Sequence, residues 1–304
     1  MSKIRYIQHA AIDKAKWDSC ISNADNSLVY GYTWWLDNIS PGWHALVLND
    51  YDAVMPLTWR KKYGIYYLYQ PFCTAMLGVF HKPGIKVKAD DFLDAIPAKF
   101  RYWDIDMNEQ NVVENKSVTA YTRINQLLHL SGKYHDVQKS YSRLAKRKLS
   151  KATENGITLK QSVSPKIIVE LYKNEYYQQH RNTQDDYIAL INCCETAMHK
   201  GMTETYIATF PDGEVVAFYI VLKDKSFVYS LLGGSTAKGK DAGAFYFLTD
   251  AAIKDHCTSG KTFRFEGSDI EGIAFFNGQF GAESITYLHL QQNRLPVFLK
   301  YLKK

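Results

Sequence analysis

Three observations predict an α/β (α+β) protein with two similarly built domains, each holding a mixed, mostly antiparallel sheet. The chain has 304 residues, enough for two domains of roughly 150 residues each. The punctuation of the C-terminal half gives the element order ααβββαβαβ, and the N-terminal half repeats that rhythm more loosely. Between them lies a basic segment. Residues 136–160 carry seven Lys or Arg against two Asp or Glu, whereas 1–135 carry 15 against 13 and 161–304 carry 15 against 16. The division expected is an N-terminal domain over 1–135, a basic linking helix over 136–160 and a C-terminal domain over 161–304.

Each element follows from local signals. The first half opens with a strand over 4–8 and helical stretches over 15–23 and 33–39. Strands over 43–48, 53–59 and 65–69 come next, then a long loop over 70–87. A helix over 90–100 and strands over 102–107 and 121–130 complete it. In the second half Pro165 sits in the first turn of a helix running to 181, where its missing N–H is harmless. Thr183 caps a second helix, Asp185 and Asp186 suit its positive end, and Gly201 stops it. Alternation gives a strand over 204–210, Asp212 and Gly213 a hairpin turn, and 214–222 the partner strand. A strand over 226–232, a small-residue loop over 233–243 and a helix over 244–256 follow. A strand over 261–266, a short helix over 270–280 and a last strand over 284–291 end the pattern.

Composition narrows the class. Hydrophobic residues make up 46% and charged residues 22%, ordinary for a globular chain, which excludes disordered and fibrous classes. The longest apolar run, 215–222, is far short of the ~20 residues a membrane span needs. Residues 1–17 have no apolar block like that of a secretory leader. Five Cys and nine His show no metal-ligand spacing, so a reduced, cytoplasmic protein without a metal is expected. No phosphate-loop, nucleophile-elbow or dinucleotide fingerprint is present.

Three segments resemble a known family. The basic stretch 141–156 is similar to the inter-domain helix of FemAB-like proteins, which carry tandem GNAT (acyl-CoA N-acyltransferase) domains. Residues 263–268 (FRFEGS) followed by 275–281 (FFNGQFG) resemble that branch's strand, glycine and aromatic-glycine ending. The pieces 41–43, 56–60 and 69–71 look like the N-terminal domain of a bacterial subgroup. The resemblance implies two tandem GNAT-like domains and transfer of an acyl or aminoacyl group to an amine acceptor, a small molecule or a cell-wall precursor. It implies acyl-CoA as donor, or aminoacyl-tRNA in enzymes that build peptidoglycan cross-bridges. Where such enzymes hold the CoA pyrophosphate, residues 235–244 keep a cation and one glycine, Lys240 and Gly243, but no Arg and no second glycine in the expected place.

Within that frame each candidate has two readings. Gly233, Gly234 and Gly243 with Lys238 and Lys240 form either a phosphate cradle before a helix or an ordinary connection with solvated lysines. Glu266, at a strand end before Gly267, is either the base that strips the attacking ammonium or a carboxylate bonded to its own turn. Tyr229 is a candidate acid for the leaving group, and Tyr246, at a helix start, a candidate substrate contact. Either can equally be core packing. Arg143, Arg147 and Lys151 recur at helical spacing and share one face, flanked by Lys139 and Lys146. That face is either a binding surface for an anionic substrate, tRNA included, or simply solvated. A non-catalytic protein that binds an anionic ligand is the remaining alternative. In the N-terminal domain Pro71 follows the third strand, and a proline has no N–H for a donor cradle, so loss of donor binding is expected there.

Overall fold

The computed structural model describes residues 4–179 and 182–296, so the end of the helix expected over 166–181 and the chain beyond 296 lie outside it. Two compact units divide the chain: Met1–Arg123 with Thr286–Lys304, and Ile124–Ile285.

The first unit contains β1 (Ile4–Ile7), α1 (Lys14–Asn23), α2 (Thr33–Ile39), β2 (His44–Leu48), β3 (Ala53–Leu57), β4 (Trp59–Lys62), β5 (Ile65–Tyr69), β6 (Phe80–His81), α3 (Ala89–Asp94) and β7 (Phe100–Asp106). One strand is predicted over 53–59, but the chain breaks at Thr58, whose hydroxyl donates to the Tyr69 carbonyl at 2.6 Å. β3 therefore joins one sheet, of order β1-β2-β3-β6, while β4 turns back onto β5 in another. The helix predicted over 90–100 is only six residues, because the chain reaches Pro97 soon after and Phe100 already opens β7. β5 and β7 are parallel, the crossover between them carrying α3. Trp17, Trp35, Trp43 and Trp103 are wholly buried in this unit.

β8 (Thr119–His129) carries the chain into the second unit. There follow α4 (Tyr134–Lys139), α5 (Arg143–Glu154), β9 (Thr158–Gln161), α6 (Pro165–Tyr176), α7 (Gln184–His199), β10 (Thr203–Thr209), β11 (Val215–Lys223) and β12 (Phe227–Ser235). α8 (Ala237–Ala242), α9 (Ala244–His256), β13 (Thr262–Arg264) and α10 (Glu271–Gly278) precede β14 (Glu283–Asn293), which returns to the first unit. The second unit's strands run β8-β13-β12-β11-β10-β9, and only β12 and β13 are parallel. β11 is buried from Val216 to Leu222 without alternation, as befits a strand covered on both faces; α6 and α9 pack against it.

These boundaries differ from the expected ones at 135 and 160. Residues 124–160 belong to the second unit, as two helices and an edge strand rather than one linking helix. β9 pairs with β10, Gln161 opposite Tyr206. β14 pairs antiparallel with β7, His289 opposite Asp106, so its residues from Thr286 onward complete the first unit. A short α8 forms inside the loop expected over 233–243, capped by Thr236, whose hydroxyl accepts from the Gly239 N–H.

Candidate active site

In open α/β sheets ligands gather where strand pairing changes, and the second unit has such a place. β12 and β13 are paired over three residues only, Phe227 to Tyr229 against Thr262 to Arg264. β12 runs on to Ser235 beside β11, while the Phe265 N–H turns to the Gln126 carbonyl. Beyond Tyr229 no described strand pairs the β13-side edge of β12. The Tyr176 hydroxyl of α6 closes the far end of that edge, accepting from the Ser235 N–H and donating to the Ser235 carbonyl, both at 3.1 Å. Burial raises the Tyr176 pKa more than its contact with the Ser235 backbone lowers it.

Gly233 and Gly234 are glycines because rings occupy the space a side chain would need. A Cβ on Gly233 would lie 2.5 Å from Phe245, and one on Gly234 2.4 Å from Tyr176. The next glycines meet backbone. A Cβ on Gly239 would fall 1.9 Å from the Val216 carbonyl oxygen, and one on Gly243, at φ +80°, 2.4 Å from that of Lys148. Lys238 reaches away to Glu214 at 2.9 Å. Lys240 is exposed, and its carbonyl, like that of Asp241, accepts from the Lys148 ammonium at 3.2 and 3.4 Å. These glycines are filled by the protein's own atoms, so the stretch does not fit a CoA pyrophosphate cradle and no step is routed through one.

Glu266 has φ +21°, a conformation that costs a non-glycine residue energy and clusters at functional sites. Its carboxylate accepts from Arg264 Nε at 3.2 Å and from Asn125 Nδ2 at 2.9 Å. Arg264 is 0% exposed, Glu266 9%, and the guanidinium also lies 4.9 Å from the Phe227 ring centroid. A buried carboxylate beside a fixed guanidinium is held ionised, which suits positioning better than proton abstraction. Tyr229 is wholly buried and donates its hydroxyl to Asp224, in the turn before β12. That bond points the hydroxyl to the opposite end of β12 from Gly233, against an acid role at the open edge. Tyr246 packs edge-on to Phe276 at 4.6 Å, and burial raises its pKa.

The sequence alone did not reveal Arg264, Asn125 or Tyr176. Arg264 had a legible signal, a cation between Phe263 and Phe265 that alternation puts on the same face as Glu266. Asn125 lies 141 residues from Glu266 and Tyr176 59 residues from Ser235, and no local pattern connects such pairs.

On α5, Arg143, Lys146, Arg147 and Lys151 are exposed and have no ion-pair partner among the described residues. Lys139 instead pairs with Asp136 at 2.8 Å. Elsewhere in this unit, Glu204 accepts from Tyr206 at 2.8 Å, from His256 at 2.7 Å and from Lys223. Burial alone would push Glu204 up, but these three bonds outweigh it and bring the carboxyl down to about 2.

In the first unit the matching strand ends are held together. Gln70 accepts from the Asp106 N–H at 3.0 Å and donates to the Thr74 carbonyl at 2.6 Å. Leu77 pairs onward with the extension of β7. Asp106 is buried and accepts from Arg123 and His289, both at 3.0 Å.

Two units, each with a parallel strand pair joined through a helical crossover, define a tandem GNAT-like fold of the FemAB-like kind. The chain matches no protein-family model and no curated protein sequence. Among solved structures it resembles FemX, at 13% identity over 99% of this chain and 100% of that one, with a TM-score of 0.67. It resembles the C-terminal domain of a putative lysylphosphatidylglycerol synthetase from Agrobacterium fabrum, at 11% identity, 92% coverage of both chains and a TM-score of 0.56. A tandem GNAT protein from the clavulanic acid biosynthesis pathway is similar at 11% identity over 97% of this chain and 99% of that one, with a TM-score of 0.54. At these identities the likeness is one of fold. Among the described residues no helix is long and apolar enough to cross a membrane, and no group of three His, Cys, Asp or Glu is set to hold a metal ion.

Proposed function

We propose that the second unit transfers an acyl or aminoacyl group directly to an amine where β12 and β13 separate. The separation itself supports this reading. Strand alternation puts the Gly233 N–H on the same edge as that of Ser235, where it can donate to a carbonyl oxygen that gains charge during attack. The amine nitrogen forms the new C–N bond, the donor's C–S or C–O bond breaks, and the ammonium proton leaves to water as the leaving group is protonated. Glu266 positions the β13 side of the opening through Arg264 and Asn125. The first unit, with its strand ends tied by Gln70, takes no part in donor binding. The filled glycines favour a donor other than a CoA thioester, and the fold shared with FemX makes aminoacyl-tRNA the next to try. The exposed cations of α5 meet an anionic partner.

The test is a transfer assay. Purified protein is given acetyl-CoA or charged tRNA with a panel of amines, including cell-wall precursors, and acceptor masses are followed. A mass gain equal to the acyl group, matched by released thiol or uncharged tRNA, is expected with one donor. No transfer and no binding of either donor would return the chain to a non-catalytic anion-binding role.

A further inference from the structure

The cations of α5 have an apolar neighbour. α10 reads EGIAFFNG, and of its residues only Asn277 is buried. Ile270 is 56% exposed, Ile273 38% and Phe275 60%. At about 100° per residue, Phe275 lies about 200° around the helix from Asn277, on the crest facing away from the protein. A large aromatic there gains nothing from the fold, and isolated exposed aromatics of this kind suit an apolar medium more than a packed core.

Gln279 joins this crest to the basic helix. Its Nε2 donates to the Phe275 carbonyl at 2.9 Å, and its Oε1 accepts from the hydroxyl of Ser142, the N-cap of α5, at 2.6 Å. The Ser142 N–H also donates to the Gln279 carbonyl at 2.9 Å. One side chain thus spans from Phe275 to the residue before Arg143. The exposed apolar residues and the unpaired cations form one contiguous surface of the second unit.

We propose that this surface docks on an anionic phospholipid bilayer, the cations of α5 meeting headgroup phosphates while Phe275 and the isoleucines enter the interface. The inference rests on the reading that α5 meets an anionic partner, and it names that partner. Charge complementarity favours an anion. The lipid is favoured over RNA because Ile270, Ile273 and Phe275 offer aliphatic and aromatic surface on the outward side, which phosphate backbones do not need. Interfacial binding of this kind combines buried apolar area with attraction to anionic lipid.

The experiment is vesicle co-sedimentation of the full chain. Vesicles are phosphatidylcholine alone or phosphatidylcholine mixed with phosphatidylglycerol, at low salt and at about 0.15 M. Binding is expected only to the anionic vesicles and is expected to weaken with salt. Each lost cation should weaken it about fivefold, so the combined Arg143→Gln, Arg147→Gln, Lys151→Gln variant should lose well over tenfold. Phe275→Ser should lose about tenfold, whereas Phe275→Leu should retain most of the affinity. All these side chains are exposed, and far-UV circular dichroism checks that the variants are folded. Undiminished binding by the triple variant would overturn both the docking surface and the anionic-partner reading. Undiminished binding by Phe275→Ser, with the triple variant weakened, would leave an anionic partner but overturn lipid docking. So would tRNA binding that needs the three cations, if anionic vesicles do not bind at low salt.

Discussion

Replacing Glu266 with Gln separates a positioning carboxylate from a base, and the structure sets the size of the effect. Arg264 is 0% exposed and Glu266 9%, with 3.2 Å between Nε and Oε1. Removing the negative partner leaves a buried guanidinium without its counter-charge, which costs about 3–5 kcal/mol. For a unit the size of Ile124–Ile285, each kcal/mol lowers the melting temperature by about 2–4 °C. Glu266→Gln should therefore melt about 6–20 °C below the wild type. Arg264→Met with Glu266→Leu leaves no buried charge and should recover much of the loss. Thermal unfolding followed by circular dichroism reads all three proteins. A Gln variant that melts with the wild type would refute the positioning argument. So would a stable Gln variant with turnover reduced by about 10²–10⁴-fold, since that is what a lost base does.

Two further predictions concern the same unit. The Glu204 carboxyl is ordinarily near 4.5 and is held at about 2 in the fold. Its folded value is depressed, so its stabilisation is present above pH about 4.5 and lost as pH falls through about 2. Its side chain is 27% exposed, and the loss should be about 2–3 kcal/mol, read by urea unfolding across that range. Glu204→Gln should show a flatter profile, and an unchanged one would show that the three bonds stabilise nothing. Gly243→Ala places a Cβ 2.4 Å from the Lys148 carbonyl at φ +80°, so about 2 kcal/mol or more should be lost. Gly272→Ala, with nothing within 4 Å of the added carbon, should melt at or slightly above the wild type. Equal melting of the two variants would contradict the close approach of α5 to the α8–α9 junction.

The fold class and most elements were legible because they rest on local chemistry. Thr183 and Asp186 form the capping box that opens α7, each bonded to the other's backbone N–H. Asp212 and Gly213 make the β10–β11 turn. Errors fell where a distant partner decides. The last strand reads as part of the C-terminal half, yet β14 finds its antiparallel partner in β7, far away in the sequence. The basic stretch reads as one linker, yet Ala145 and Ala152 are wholly buried and pin α5 onto its unit as a packed helix. At the candidate site, Gly233 and Gly234 were visible as small residues, but the sequence could not show that Phe245, Tyr219 and Tyr176 fill the space above them.

That filling bears on how one chain can carry the same crossover twice and use it once. Both units place a helical connection between two parallel strands, β5 with β7 and β12 with β13. In the first, the pairing runs to Tyr69 opposite Asp104, and the Gln70 amide and Leu77 carry the contact onward. Pro71 therefore has no cradle to spoil, because the strands never part. In the second, pairing stops at Tyr229 opposite Arg264. The buried Arg264–Glu266 pair, the positive φ of Glu266 and the turn of Phe265 toward Gln126 then lead the β13 side away from β12. An ion pair in that place adds little stability over apolar packing. Its contribution is to fix where the strands diverge, and the divergence leaves the Gly233 N–H on an edge that no described strand takes up.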